Sequence, residues 1–143
     1  MSTAAPSGRL RVGTDLVYVP QVVASIDRFG ARYLHRVYTD AELVACRTLP
    51  DGWSPERLAA RFAAKEAALK VLRPVDGTSL RDIEISHDSF GAPEVHFSGS
   101  ALARANEIGL VDGTVSVLHD GNYAMAVYAA VVAPPTSPRE DHA

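Results

Sequence analysis

Apolar and polar residues alternate with different periods along the chain, and the first segment predicts a strand followed by a helix. Residues 10–19 are mostly apolar and β-branched, as in a largely buried strand. Pro20 comes next, and a proline suits the first turn of a helix because its missing N–H is not needed there. The folded part is therefore expected to open with a strand that leads directly into a helix.

Two capping signals predict the helices that follow. Thr39 and Glu42 form a capping box, in which each side chain accepts a hydrogen bond from the other residue's backbone N–H, so a helix is expected over about residues 40–49. Ser54 opens the longest helix, over about residues 55–72, which is rich in alanine and is followed by a proline. This long helix is the central element of the predicted fold.

Further along the chain the apolar residues recur at every second position, which is typical of strands. Residues 83–87 and 95–97 alternate in this way on either side of a turn at 88–93, so they predict two paired strands. Residues 100–108 predict a short helix that ends at Gly109, in the left-handed conformation of a helix cap.

The last elements predict a hairpin, with strands 114–119 and 123–132 around a turn at 120–122. The predicted order is strand, helices, two strands, helix, two strands. This order favours an α+β fold in which the long central helix packs on an antiparallel sheet.

Length and composition limit the class of protein. The 143 residues suit one domain, expected over residues 9–133, with disordered ends at 1–8 and 134–143. The net charge of -3 does not favour a nucleic-acid partner, and the apolar stretches are too short for a membrane span. Cys46 is the single cysteine, so no internal disulfide is possible and a cytoplasmic location is expected.

The long helix carries positive charges that its packing does not require. Lys65 falls in a stripe of leucine and phenylalanine side chains, where an ammonium is costly unless it has a partner or reaches water. Arg57 and Arg61 precede it at intervals of four residues, and such like charges repel each other on a helix. A phosphate-bearing ligand would relieve this repulsion, and a solvated basic face is the alternative.

Asp15 interrupts the apolar run of the first strand, where aspartate is a poor strand former. A buried carboxylate needs a cation or several hydrogen-bond donors. With Glu66 of the long helix beside it, the two carboxylates would make a magnesium site, because Mg²⁺ takes one or two carboxylates and completes its shell with water and phosphate oxygens. A structural salt bridge explains the same pattern equally well.

His119 closes a strand just before a tight turn, a position from which a side chain can reach a ligand cleft. The other histidines have no metal-ligand spacing with it. A zinc site is therefore not expected.

Four segments in this order resemble one known family. Residues 12–17 resemble the opening motif of the holo-[acyl-carrier-protein] synthase type of 4'-phosphopantetheinyl transferase, and residues 61–67 with Lys70 resemble its central helix motif. Residues 88–93 are similar to its aspartate-to-Gly-x-Pro loop, and residues 116–119 to its serine-to-histidine strand end. The resemblance extends over nearly all of the predicted elements.

The resemblance implies the phosphopantetheinyl transferase fold and an activity. Members of this type move 4'-phosphopantetheine from coenzyme A to a serine of an apo acyl or peptidyl carrier protein and leave adenosine 3',5'-bisphosphate. Mg²⁺ is the implied cofactor, and coenzyme A and the carrier are the implied partners. The single-domain length resembles that of members that work as homotrimers with sites between subunits.

The resemblance also implies roles for individual residues. Asp15 and Glu66 would hold magnesium against the diphosphate of coenzyme A, while Arg61, Lys65 and Lys70 would face phosphates. Glu66, Lys65 and Lys70 are the implied catalytic residues. Lys70 is expected to stabilise the leaving phosphate, and Glu66 is expected to help remove the serine proton.

Gly91, Pro93 and His119 are implied near the nucleotide part of coenzyme A. Two departures from the family pattern bear on this region. Residues 73–78 replace a glycine-rich loop, and Leu118 stands where a small hydroxyl residue normally precedes the histidine. These departures leave open a non-catalytic coenzyme A-binding or assembly module with the same fold, and a third reading is an unrelated enzyme that acts on nucleotides through the same magnesium pair.

The surface that docks the carrier also departs from the pattern. Near Pro20 and Gln21 the family often has basic residues that meet the acidic carrier, and this chain lacks them. Arg28, Arg32 and Arg36, spaced at i, i+4 and i+8, offer another basic row.

Overall fold

The computed structural model describes residues 8–48 and 52–134, so the ends predicted to be disordered lie almost entirely outside the described residues. The strands are β1 (Arg9–Tyr18), β2 (Arg47–Thr48), β3 (Gly52–Trp53), β4 (Ile83–His87), β5 (Pro93–Phe97), β6 (Leu110–Asp120) and β7 (Tyr123–Val132). The helices are α1 (Val19–Phe29), α2 (Ala31–Val37), α3 (Asp40–Cys46), α4 (Pro55–Leu72) and α5 (Gly99–Glu107). Within the described ranges, no helix is long and apolar enough to cross a membrane.

The predicted α+β class is confirmed. Strands β1, β7 and β6 form an antiparallel sheet with β7 in the middle, and α4 packs against one face of this sheet. Strands β4 and β5 form a separate antiparallel pair, in register from Ile83 opposite Phe97 to His87 opposite Pro93. Helix α4 contacts both sheets and is the element around which the core is built.

Small residues let α4 approach β1 closely. A Cβ atom on Gly13 would lie 2.1 Å from the carbonyl oxygen of Ala67, so no larger residue fits there without displacing the helix. The alanines on the buried face of α4 are fully buried, namely Ala59, Ala63, Ala64, Ala67 and Ala68. This close approach brings the side chains of β1 beside the middle of α4.

The helix predicted over residues 40–49 is shorter than expected and ends at Cys46. The Ser54 N–H donates to the Cys46 carbonyl at 2.8 Å, and the next two residues pair with β3 as a short strand. The Arg47 guanidinium lies 5.3 Å from the centre of the Trp53 ring, a cation–π contact that holds this pairing. A tertiary contact therefore ends the helix early.

The helix predicted after Pro20 is divided into α1 and α2 at Gly30, whose φ of 54° interrupts the helical backbone. Arg28 therefore lies at the end of α1, whereas Arg32 and Arg36 lie on α2. The three arginines are all exposed, but they do not form the single helical row that their spacing predicted.

The face of the sheet opposite α4 is apolar, and none of the described residues covers it. Leu16 of β1 and Leu118 of β6 flank Met125 of β7 in register, and these two leucines are 62% and 54% exposed. Val12, on the same side of β1, is 58% exposed. An apolar surface of this extent is typical of an interface with another protein chain.

Candidate active site

Strand β1 and helix α4 bring two carboxylates and a lysine together. Lys70 Nζ donates to the Thr14 carbonyl oxygen at 2.6 Å and lies 3.4 Å from Oδ1 of Asp15. Burial raises the pKa of Glu66, the negative charge of Asp15 raises it further, and Lys70 opposes the shift. The two acids that sequence analysis singled out are therefore near neighbours, and their repulsion is only partly relieved by the lysine.

The arrangement of these groups fits a divalent cation. Asp15 and Glu66 supply two carboxylates from different elements, and a divalent cation would relieve the repulsion that Lys70 leaves between them. Residues 8–48 and 52–134 contain no larger cluster of histidine, cysteine and acidic side chains. Two carboxylates are the number that Mg²⁺ commonly takes when phosphate oxygens and water complete its shell.

A cleft of about 450 Å³ lies at the other end of α4. Four residues that sequence analysis placed near phosphates or the nucleotide line it: Arg61, Gly91, Pro93 and His119. Ala45, Arg57, Ala60, Ile85, His87 and Val117 complete the lining. The structure thus gathers the predicted nucleotide residues in one place, separate from the carboxylate pair.

Arg61 is the most unusual residue of this cleft. Its side chain is buried, with 7% exposure, and Nε is a buried nitrogen that has no hydrogen-bond partner among the described residues. Its other nitrogens lie 3.5 Å from the Arg57 carbonyl oxygen and from Nδ1 of His87, at the limit of hydrogen bonding. A buried guanidinium with such weak partners is well suited to bind an anion.

A tight loop presents Gly91 and Pro93 to the cleft. Oδ1 of Asp88 accepts hydrogen bonds from the N–H groups of Phe90 at 2.8 Å and Ala92 at 2.9 Å. Gly91 has a φ of 82°, a backbone conformation that favours glycine. The wall of the cleft is therefore held by hydrogen bonds before any ligand arrives.

Leu118 does not disturb the cleft, although it replaces the small residue expected before the histidine. Val117 and His119 line the cleft on one side of β6, and side chains alternate along a strand, so Leu118 points to the other face. It belongs there to the exposed apolar surface of the sheet.

Lys65 is placed differently from the prediction that it faces phosphates. Its side chain is fully buried, and Nζ lies 2.5 Å from Oε1 of Glu42. The ammonium also donates to the carbonyl oxygens of Leu80 at 2.9 Å and Ile83 at 2.5 Å. Burial lowers the pKa of Lys65 and Glu42 opposes the shift, so the lysine has its partner in the core and no N–H left for a phosphate.

Sequence reasoning missed two residues that matter here. Glu42 was recognised only as a capping residue, because nothing in the spacing connects it with Lys65. His87 looked like an ordinary strand residue. Their roles depend on α3 and β4 packing against α4, which no local pattern reveals.

Comparison with known proteins identifies the family of this chain. The chain matches the family model of the 4'-phosphopantetheinyl transferase superfamily over residues 11–128. It is 38% identical over 125 residues to the holo-[acyl-carrier-protein] synthase of Herpetosiphon aurantiacus, a match that covers 82% of this chain and 94% of that protein.

Solved structures show the same fold. The Helicobacter pylori holo-[acyl-carrier-protein] synthase in complex with coenzyme A has a TM-score of 0.72 and 27% identity, with 84% of this chain and 99% of that chain covered. The Chronobacterium ammoniagenes ACPS–CoA complex has a TM-score of 0.77 and 29% identity, covering 89% and 99%. The resemblance expected from the sequence motifs is confirmed. This chain therefore belongs to the 4'-phosphopantetheinyl transferase superfamily.

Proposed function

We propose that this chain transfers 4'-phosphopantetheine from coenzyme A to a serine hydroxyl of an apo acyl or peptidyl carrier protein. A bond forms between the serine oxygen and the phosphorus next to pantetheine, the bond from that phosphorus to the bridging oxygen breaks, and adenosine 3',5'-bisphosphate leaves. The observation that supports this most strongly is that β1 and α4 bring Asp15, Glu66 and Lys70 together, while a cleft lined by Arg61 lies at the start of α4. Relatives named holo-[acyl-carrier-protein] synthase, two of them complexes with coenzyme A, agree with it.

Asp15 and Glu66 are the residues that would hold Mg²⁺. A bound magnesium ion would neutralise negative charge on the diphosphate oxygens. Lys70 lies beside the pair with half of its side chain exposed, so its ammonium can meet the charge that develops on the leaving phosphate. Phosphoryl transfer depends chiefly on such positioning and charge neutralisation.

Glu66 is our candidate for the group that accepts the serine proton. Its carboxylate is half-buried, and burial together with the charge of Asp15 raises its pKa. The assignment rests on the position of Glu66 beside Asp15 and Lys70.

The cleft at the start of α4 suits the nucleotide part of coenzyme A. Arg61 offers a buried Nε–H with no partner among the described residues, and His119, Gly91 and Pro93 line the same cleft. Guanidinium groups bind phosphate oxygens through charge-assisted hydrogen bonds. Lys65 supports this site through structure, since it fastens α4 to Glu42 and to the start of β4.

The active assembly is a homotrimer in this proposal. The apolar sheet face that carries Val12, Leu16 and Leu118 gives copies of this chain a surface to bury. Sites between subunits would let the carboxylate group of one chain and the cleft of its neighbour hold a single coenzyme A. The free, buried thiol of Cys46 is compatible with the reducing cytoplasm, where we place the enzyme.

The test is a change in mass of the carrier. The chain is incubated with coenzyme A, Mg²⁺ and a panel of apo acyl and peptidyl carriers, and intact-mass spectrometry should show the gain of one phosphopantetheine. Asp15→Ala and Glu66→Ala should each slow transfer by at least ~100-fold. Glu56→Ala, which removes an exposed acid of the same helix, should leave transfer unchanged.

Other outcomes separate the competing functions. Unchanged masses for the whole panel would contradict the proposal. Magnesium-dependent binding of coenzyme A without transfer would identify a binding module, and a nucleotide product other than adenosine 3',5'-bisphosphate would identify a different enzyme.

A further inference from the structure

His87 lies where the cleft holds its poorly satisfied positive charge. The residue ends β4 and lines the cleft with Arg57, Arg61 and His119. Its Nδ1 atom is 3.5 Å from a terminal nitrogen of Arg61, which permits only a weak hydrogen bond. The proposed reaction requires no role for this histidine.

Arg61 indicates that the cleft is completed by an anion other than a protein side chain. Arg61 is more than nine-tenths buried as a residue, yet Nε has no partner within the described ranges. Its contacts with the Arg57 carbonyl oxygen and with Nδ1 of His87 are 3.5 Å long. No carboxylate is found among the described residues that line the cleft. Because an uncompensated buried charge is costly, a ligand oxygen that reaches Arg61 would bind strongly.

The chemistry of coenzyme A identifies that anion. Coenzyme A carries two anionic groups, a diphosphate and a 3'-phosphomonoester. In the proposed function the diphosphate meets Asp15, Glu66 and Lys70, and none of these residues lines the cleft. The phosphomonoester remains for the cleft, and this group is mostly a dianion at neutral pH because its second pKa is about 6.

The charges around His87 allow it to respond to such a dianion. Partial burial lowers the pKa of His87, Arg61 lowers it further, and Asp88 opposes the shift. Arg57 and His119 are the other ionisable groups that line the same cleft. The free protein therefore holds a neutral ring, whereas a dianion placed among these groups would outweigh the repulsion from Arg61 and favour the protonated ring.

We propose that His87 is a specificity-determining residue for the 3'-phosphomonoester of coenzyme A and that it takes up a proton from water when this group binds. The neutral ring accepts from Arg61 in the free protein, and the protonated ring donates to a phosphate oxygen in the complex. This inference rests on the proposed function. It implies that the preference for coenzyme A over dephospho-coenzyme A is strongest at mildly acidic pH.

The test compares two ligands that differ only in the 3'-phosphate. Dissociation constants for coenzyme A and dephospho-coenzyme A are measured by calorimetry from about pH 6.5 to about pH 8.5. For each pKa unit that His87 gains on binding, the preference for coenzyme A should fall by up to ~10-fold across this range. The His87→Gln side chain cannot gain a proton, so at the acidic end of the range this variant should prefer coenzyme A less than the unaltered protein does. Its remaining pH dependence should follow only the ionisation of the phosphate.

Two controls keep the result specific to this ring. His96→Gln alters an exposed histidine of the neighbouring strand that lies outside the cleft lining, and it should behave like the unaltered protein. In the unaltered protein, NMR titration of the His87 ring should show its pKa rising when coenzyme A binds and staying constant with dephospho-coenzyme A.

Three results would overturn the inference. These are a preference that does not change with pH, a His87→Gln variant that keeps the full pH dependence, and a ring pKa that coenzyme A leaves unmoved. If carriers still gain phosphopantetheine in those cases, the proposed function stands and only the role of His87 is lost. A chain that binds neither ligand would overturn both.

Discussion

A single carboxylate, that of Glu42, connects three elements in the core. Its Oε1 accepts from the Thr39 N–H at 2.8 Å and lies 2.5 Å from the Lys65 ammonium. Its Oε2 accepts from the Ile85 N–H at 3.0 Å. Because Glu42 and Lys65 are fully buried, the loss of either one leaves an unpaired charge where water cannot reach it.

Replacing Lys65 distinguishes a structural role from a catalytic one. Lys65→Met should lower the free energy of unfolding by about 3–5 kcal/mol, because it leaves the Glu42 carboxylate buried without its cation. Urea unfolding followed by circular dichroism measures this change. Arg81→Met, which breaks the exposed pair with Asp40, should cost less than about 1 kcal/mol. An unchanged unfolding midpoint with lost transfer would instead support the catalytic role first predicted for Lys65.

The repulsion between Asp15 and Glu66 predicts that removing the charge of Glu66 stabilises the protein but lowers its activity. The pKa of Glu66 is raised in the folded state, so the folded protein binds the carboxyl proton more tightly than the unfolded chain does. The stability that this proton contributes is therefore lost as the pH rises through the folded pKa. In EDTA at neutral pH, Glu66→Gln should therefore be more stable by about 0.5 kcal/mol, after allowance for solvent screening. The difference should shrink towards pH 4 in parallel urea titrations.

The same pair predicts the effect of the metal. Adding Mg²⁺ should raise the melting temperature of the unaltered protein and should have little effect on Glu66→Gln, as thermal unfolding would show. Equal stabilisation of both proteins would mean that the ion binds elsewhere.

At the scale of elements, local signals predicted what local forces determine. Helix α4 begins and ends at the predicted residues, the Thr39 capping box is present, and Gly109 has the left-handed φ of 70°. The early end of α3 and the break at Gly30 were missed. The first depends on pairing with β3 and the Arg47–Trp53 contact, and the second on an isolated glycine whose conformation the sequence leaves free.

In the candidate site, too, some residues could be predicted from local sequence and others could not. Asp15 was recognisable because it interrupts the apolar run of the first strand, and Glu66 and Lys70 because they belong to a known helix motif. The partnership of Lys65 with Glu42 and the position of His87 beside Arg61 were not, because the partners are far apart in sequence. Only the packing of α3 and β4 on α4 brings them into contact.

The close approach of β1 and α4 predicts a sensitive position. Gly13→Ala would place a methyl group 2.1 Å from the Ala67 carbonyl oxygen, so the strand and the helix must separate. We expect a loss of about 1–3 kcal/mol in the free energy of unfolding and weaker Mg²⁺ binding, because Asp15 moves with the strand. Gly77→Ala, where nothing lies within 4 Å of the new methyl, serves as the control in both measurements.

At the scale of the whole molecule, the uncovered sheet face predicts the assembly. Val12→Glu places a charge on the β1 side of this face and should convert the proposed trimer to smaller species, measured by sedimentation velocity. Transfer should fall with assembly because the proposed sites lie between subunits. Val44→Glu, at an exposed valine of α3, should leave both unchanged. A Val12→Glu trimer with full activity would contradict this account.

The exposed apolar face also ties folding to abundance. If each chain buries its apolar face only against its neighbours, dilution dissociates the chains and lowers their stability. The melting temperature then depends on protein concentration. A cell that keeps few copies of such a catalyst then needs contacts between protomers that persist at nanomolar levels. Selection on this face would thus depend on the lowest concentration at which the enzyme stays folded, and not only on its catalytic rate.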